Sequence, residues 1–160
     1  MIQATIIGGE QLEERLRVLP DKVMLAVTKR VQAAALQVEA DVKANKLSGQ
    51  VLHVKTGNLR RSIHTNPVNI NGSNISATVG TNSEYAAIHE YGGVTSPHEI
   101  VPRNHEALKF MVDGKVLIRK RVMHPGSRIP ERSFLRSTLK EDAEMIYEQI
   151  RLGVREGLQA

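Results

Sequence analysis

Apolar residues recur every three or four positions through the first third of the chain: Val23, Val27, Val31, Ala34, Val38 and Val42. That spacing predicts a helix from about Asp21 to Lys46 with one buried stripe. Lys22, Lys29, Arg30, Glu39, Asp41 and Lys43 fall mostly off the stripe, and Asp21 is a plausible N-cap. The run Ala33-Ala34-Ala35 is small enough to let another element approach closely. Ahead of it, Leu12, Leu16 and Leu19 share a face of one or two helical turns, which Pro20 is expected to interrupt. Gln3–Ile7 reads as a short strand closed by Gly8-Gly9. Near the other end, Leu135, Leu139, Ala143, Ile146, Ile150 and Val154 mark a second long helix, from about Arg132 to Gly157.

Between the helices the period falls to two. Val68-Asn69-Ile70 and Ile75–Val79 flank Asn71-Gly72-Ser73-Asn74, a β-hairpin signal because Asn-Gly tolerates the positive φ of a tight turn. A second hairpin is expected around Val112-Asp113-Gly114, joining Ala107–Met111 to Lys115–Val122. On its second strand Val116 and Ile118 alternate with Lys115, Arg119 and Arg121, as if half-solvated. Leu47–Lys55 reads as a surface loop and Pro97–Asn104 as irregular, while Thr56–Ile63 leads into extended structure. Ser83 is placed to cap a short helix carrying Tyr85, Ala86, Ile88 and His89, which Gly92-Gly93 ends. Two amphipathic helices and a mostly antiparallel sheet with two hairpins must bury one another's apolar faces, so the fold class is α+β. The expectation is one domain over residues 1–160, with the hairpin over 94–124 as a candidate extended arm.

Composition narrows the chemistry. There is no cysteine, which excludes disulfides, thiol catalysis and thiolate zinc sites, and no tryptophan, so the core is aliphatic. The N-terminus shows no basic leader and no stretch reaches the apolar length of a membrane span, so a soluble protein without a membrane partner is expected. A net charge of +5 permits an acidic or nucleic-acid partner. The cations are dispersed, however, with small clusters only at Arg60-Arg61 and Arg119-Lys120-Arg121. Aromatic stacking platforms for bases are lacking.

The most enzyme-like spot is His89-Glu90. A zincin would need a second histidine four residues on, where Gly93 stands. His98, His105 and His124 have no compact ligand spacing, and no serine sits in a nucleophile elbow. The bland alternative makes His89 a partly buried residue satisfied by a backbone carbonyl, and Glu90 a solvated charge. No catalytic, cofactor or metal residue is therefore assigned, and the sequence argues against an enzyme. Arg119, Lys120 and Arg121, with His98 and Arg103, are candidates for a partner interface or a DNA channel; a solvated strand face that discourages edge aggregation accounts for the basic run equally well.

Three segments together resemble a known family: TGNLRRSI (Thr56–Ile63), VGTNSEYAAIHEYGG (Val79–Gly93) and HPGSRIPERSFLRSTL (His124–Leu139). Their order and spacing are similar to those of the tail-completion, or virion-morphogenesis, proteins of long-tailed bacteriophages. Ser133 stands before Phe134 where that family usually has proline. The resemblance implies a structural subunit of the neck, at the head-proximal end of the tail, assembled in the host cytoplasm and carried in the virion. It implies a homo-oligomer, a six-fold ring, touching head-connector and tail-tube proteins, with DNA passing through the channel. Tyr85, His89, Glu90, Tyr91, Gly92 and Gly93, then Pro125 and Gly126, then Phe134 and Leu135 become a structural motif. Under this reading Tyr85, Ile88 and Tyr91 pin the short helix, and Phe134 and Leu135 dock the last one. The alternatives are a small DNA-binding protein and a His/Glu metal-dependent hydrolase.

Overall fold

The computed structural model describes residues 9–160, with side chains from Arg17 onward, so the strand expected at Gln3–Ile7 lies outside the described residues. The chain divides into two compact units. One comprises the chain up to Ala86 together with Ser133–Ala160, and the other Ala87–Arg132. The class is α+β, with long helices at both ends and small antiparallel strand pairs between them.

The first unit is built on helix α1 (Gly9–Asp41) and helix α5 (Ala143–Gln159). α1 runs straight through Pro20, so neither the expected interruption nor the Asp21 cap occurs. Proline removes one backbone hydrogen bond, and the turns on both sides keep the rest of the ladder. The Val23–Val42 stripe does face inward: Ala34, Val38 and Val42 are buried, and Val23, Val27 and Val31 are half-buried. α1 then widens into a π-turn at Val42–Lys46, where the Leu47 N–H reaches the Val42 carbonyl at 3.1 Å. That widening turns Leu47 inward. Leu47 and Leu52 are both core residues, so the segment expected as a surface loop is anchored at two points.

The core gathers Val38, Val42, Leu47, Leu52, Ile63, Ala86 and Phe134. Phe134 is wholly buried. Helix α2 (Asn58–Ser62), a turn not foreseen from sequence, leads into strand β1 (Ile63–Thr65), the extended structure expected there. β1 pairs with β4 (Val79–Thr81), while β2 (Asn69–Asn71) and β3 (Asn74–Ser76) form the first hairpin. Its two-residue loop is Gly72-Ser73, with the positive φ at Gly72 alone. Helix α3 (Ala86–Tyr91) follows.

The second expected long helix is two helices, α4 (Leu135–Glu141) and α5, separated at Asp142. Leu139 and Val154, expected in the core, are exposed, and Gly153 and Gly157 are buried instead. A Cβ on Gly157 would lie 2.4 Å from the Val23 Cα, and one on Gly153 would lie 2.9 Å from the Val27 Cα. The two helices therefore meet backbone to backbone, a separation that only glycine permits. Arg30 clasps the pair from outside, with its Nε 3.0 Å from Glu156 Oε2 and its Nη1 3.2 Å from Gln149 Oε1. Ser133 fits its place before Phe134 by accepting the Ser137 N–H on its Oγ at 3.2 Å.

Candidate assembly surfaces

The second unit contains three strand pairs. β5 (Gly93–Val94) pairs with β10 (Arg128–Ile129), β6 (His98–Ile100) with β9 (Val122–His124), and β7 (Leu108–Val112) with β8 (Lys115–Arg119). The segment expected as irregular after Pro97 thus contains β6. At the tip Asp113 and Gly114 both have positive φ, the two-residue type I′ turn that suits a twisted hairpin.

The glycine-rich motifs are the two sides of one pinch. Gly92 has φ +70°, and a Cβ there would sit 2.8 Å from the Glu131 amide nitrogen. Gly126 has φ +91°, and its Cβ would fall 2.2 Å from the Thr95 carbonyl oxygen. Hydrogen bonds close the same place. Thr95 N donates to Ser127 O at 2.9 Å, Ser127 N to Thr95 Oγ1 at 2.8 Å, and Arg132 N to His89 O at 2.8 Å. The Gly-Gly and His-Pro-Gly segments, about thirty residues apart in sequence, are glycine-bearing because two backbones touch there. The Gly126 N–H also donates to Nδ1 of His124 at 3.0 Å, while His98 Nδ1 lies 3.0 Å from the Ser96 carbonyl. The two imidazoles stack with centroids 5.1 Å apart.

Several expectations about side chains need correcting. Tyr85 and Tyr91 do not pin α3; they are 71% and 63% exposed, and Ala86 and Glu90 are the buried positions. Glu90 is therefore not a solvated charge. His89 is not satisfied by a carbonyl either, since its Nδ1 is buried without a hydrogen-bond partner. On this short helix burial follows the face that carries Ala86 and Glu90, four residues apart, which aromatic content does not reveal. Among the described residues no three histidine, aspartate or glutamate side chains gather as a metal set. No described helix is long and apolar enough to cross a membrane.

The candidate cations do not form one cluster. Arg121 Nη1 reaches Glu99 Oε1 at 3.3 Å across the β6–β9 pair, and Arg119 turns back to the Ile118 carbonyl at 3.1 Å. Lys120 lies between β8 and β9, Arg103 sits in the connection from β6 to β7, and His98 belongs to the histidine stack. Pro125 and Gly126 sit at the pinch, while Leu135 opens α4 and packs against the core.

Sequence reading marked this hairpin as a candidate arm for contacting a partner; what it missed is which face of the β7–β8 pair lies outward. Register places Lys109 opposite Ile118 and Met111 opposite Val116, so these four side chains share one face. Met111, Val116 and Ile118 are 70%, 52% and 60% exposed. The half-buried side chains Leu108, Phe110 and Leu117 occupy the opposite face, which reverses the orientation expected for Val116 and Ile118. Alternation marks two faces but not which one is covered. Elsewhere, an apolar groove of about 420 Å³ in the first unit is lined by Val31, Ala34, Ile75, Leu135 and Ile150.

The hairpin thus keeps Met111, Val116 and Ile118 largely in water, on a unit closed by backbone contacts. A family model described as "Bacteriophage HK97-gp10, putative tail-component" matches residues 10–92, just over half of the chain. The chain belongs to this HK97-gp10-like family of bacteriophage tail components. The matched stretch runs from α1 to the end of α3 and Gly92, so the His-Pro-Gly and Ser-Phe-Leu segments lie beyond it. No curated protein and no solved structure gave a match.

Proposed function

We propose that this protein is a structural, non-enzymatic subunit of the phage neck: a tail-completion or head–tail joining protein that forms a ring at the head-proximal end of the tail. The observation that carries this reading is the exposed face of Met111, Val116 and Ile118 on the β7–β8 hairpin, in a chain whose family is a tail component. Each such side chain gains about 1.5–3 kcal/mol when fully buried. A single hairpin face meeting a different surface on the next copy is a heterologous contact, which closes into a ring when the rotation is right. Lys109 on the same face favours a docking surface with acidic character. In this role the hairpin is the contacting arm, and Arg103, Lys120 and Arg121 lie near its base, facing a neighbour or the DNA channel. The motif residues from Tyr85 to Gly93 and from Pro125 to Leu135 hold the arm's base and the last helices rather than perform chemistry.

The test is native mass measurement and negative-stain imaging of the pure protein, with tail ends supplied as template in a parallel sample. Closed rings in either sample are expected. A monomer in both samples, together with absence of the chain from purified virions, would rule the neck reading out.

A further inference from the structure

Away from the hairpin, four cations line one cleft of about 450 Å³ in the first unit: Lys43 from the π-turn, Lys55 from the following segment, and Arg60 and Arg61 from α2. Their states differ. Lys43 is held by Glu39 at 2.5 Å, and Glu39 in turn has its carboxyl held below the usual glutamate range, first by the hydrogen bond from Lys43 and then by Thr65. Lys55, Arg60 and Arg61 are exposed, and among the described residues none of them pairs with a carboxylate. The neighbouring Lys46 points its charge elsewhere, to Glu141 at 2.6 Å.

Arg61 is also oriented. Its Nη2 donates to Asn58 Oδ1 at 2.5 Å, and its Nη1 lies 3.1 Å from where a Cβ on Gly57 would stand. Gly57 thus leaves room for the guanidinium to fold back over the backbone. The segment carrying Lys55 is anchored from behind by the buried Leu47 and Leu52. Three like charges on one rim repel one another, and among the described residues no carboxylate pairs with them.

We infer that this cleft binds phosphate groups of a nucleic-acid backbone, and specifically duplex DNA without sequence preference. The donor set suits phosphate: two guanidiniums and an ammonium, with no aromatic ring for base stacking and no Asn or Gln pair lining the cleft for base edges. Because the three unpaired cations stand in water, a single small phosphate stays largely hydrated beside them. A polymer of phosphates gains instead by releasing condensed counterions at each contact. This site is separate from the hairpin face and does not depend on ring formation.

The experiment is fluorescence anisotropy of a short mixed-sequence DNA duplex with the full chain, titrated between about 50 and 200 mM salt. The triple variant Lys55→Ala/Arg60→Ala/Arg61→Ala is compared with a charge-matched control, Lys29→Ala/Lys140→Ala/Arg155→Ala, and circular dichroism checks that both are folded. The cleft variant should lose at least about 10-fold in affinity at the lower salt, and its log–log salt slope should flatten by about 2 to 3. The control should lose far less. Three results overturn the assignment: no duplex binding by the parent protein, equal losses in the two variants, or displacement of the duplex by millimolar inorganic phosphate at constant ionic strength. The last would mean that the cleft takes a free phosphate rather than a backbone.

Discussion

The two units hold themselves together by different means. In the first, an aliphatic core around Phe134 and a glycine contact between α1 and α5 remove side chains and backbone from water. In the second no apolar side chain is fully buried, and seven of its large apolar residues (Tyr91, Val94, Val101, Met111, Val116, Ile118 and Met123) are more than half exposed. Its order comes from short antiparallel pairs and from backbone contacts at Gly92 and Gly126. Hydrophobic burial scales with the area removed from water, so the first unit has a driving force of its own. The second keeps much of that area available. Such a division suits a tail component whose apolar arm is completed by a neighbour.

Replacing Phe134 with Ala tests the first half of this contrast most severely. The side chain is wholly buried, so a loss of about 3–5 kcal/mol is expected in a denaturant melt. A loss below about 1 kcal/mol would remove Phe134 from the core. Two glycine substitutions sharpen the comparison further. Gly157→Ala drives a methyl into the Val23 backbone and should cost about 1–3 kcal/mol, despite the better helix propensity of alanine. Gly126→Ala adds strain at φ +91° to a clash with the Thr95 carbonyl. Hydrogen exchange should separate the two: the first change loosens α1 and α5, and the second loosens β5, β6, β9 and β10 while the helices keep their protection.

A smaller effect, of opposite sign, is expected at Asp142. Burial raises its pKa, and the charges of Asp41 and Glu141 raise it further against the pull of Lys46. The folded state therefore binds the proton more tightly than the unfolded state. Stability from this group is complete below the ordinary aspartate range and is lost as pH rises through the elevated value. Asp142→Asn should accordingly raise the melting temperature at neutral pH, by an amount worth at most about 1 kcal/mol, and the gain should shrink in acid. Equal stability at both pH values would discount the repulsion.

Much of the first unit could be read from residue order. The stripe from Val23 to Val42 has the helical period, and the Asp113-Gly114 turn has a mechanism that leaves few alternatives. The misreadings share a cause. Leu139 and Val154 looked like core because they are aliphatic, whereas the buried line of α5 is Gly153 and Gly157, which carry no hydrophobic signal. Tyr85 and Tyr91 looked like anchors for the same reason, and Leu47 and Leu52 were hidden in a segment without periodicity. Where backbone meets backbone, or where a π-turn re-aims a residue, the deciding interaction is tertiary and no local pattern encodes it. The motif residues were nevertheless legible as a set. Gly92-Gly93 and His124-Pro125-Gly126 stood out in sequence, and their shared role at one pinch emerged once the strands were paired.

The central claim is that the outer hairpin face exists for a neighbour. Its most direct test is incorporation of Met111→Ser/Val116→Thr/Ile118→Thr into phage particles, quantified by mass spectrometry of purified virions beside the parent chain. Because the three side chains are exposed, the purified variant should melt within about 0.5 kcal/mol per substitution of the parent. A folded variant that is depleted from particles is expected. Incorporation at the parent level, with normal tails, would contradict it.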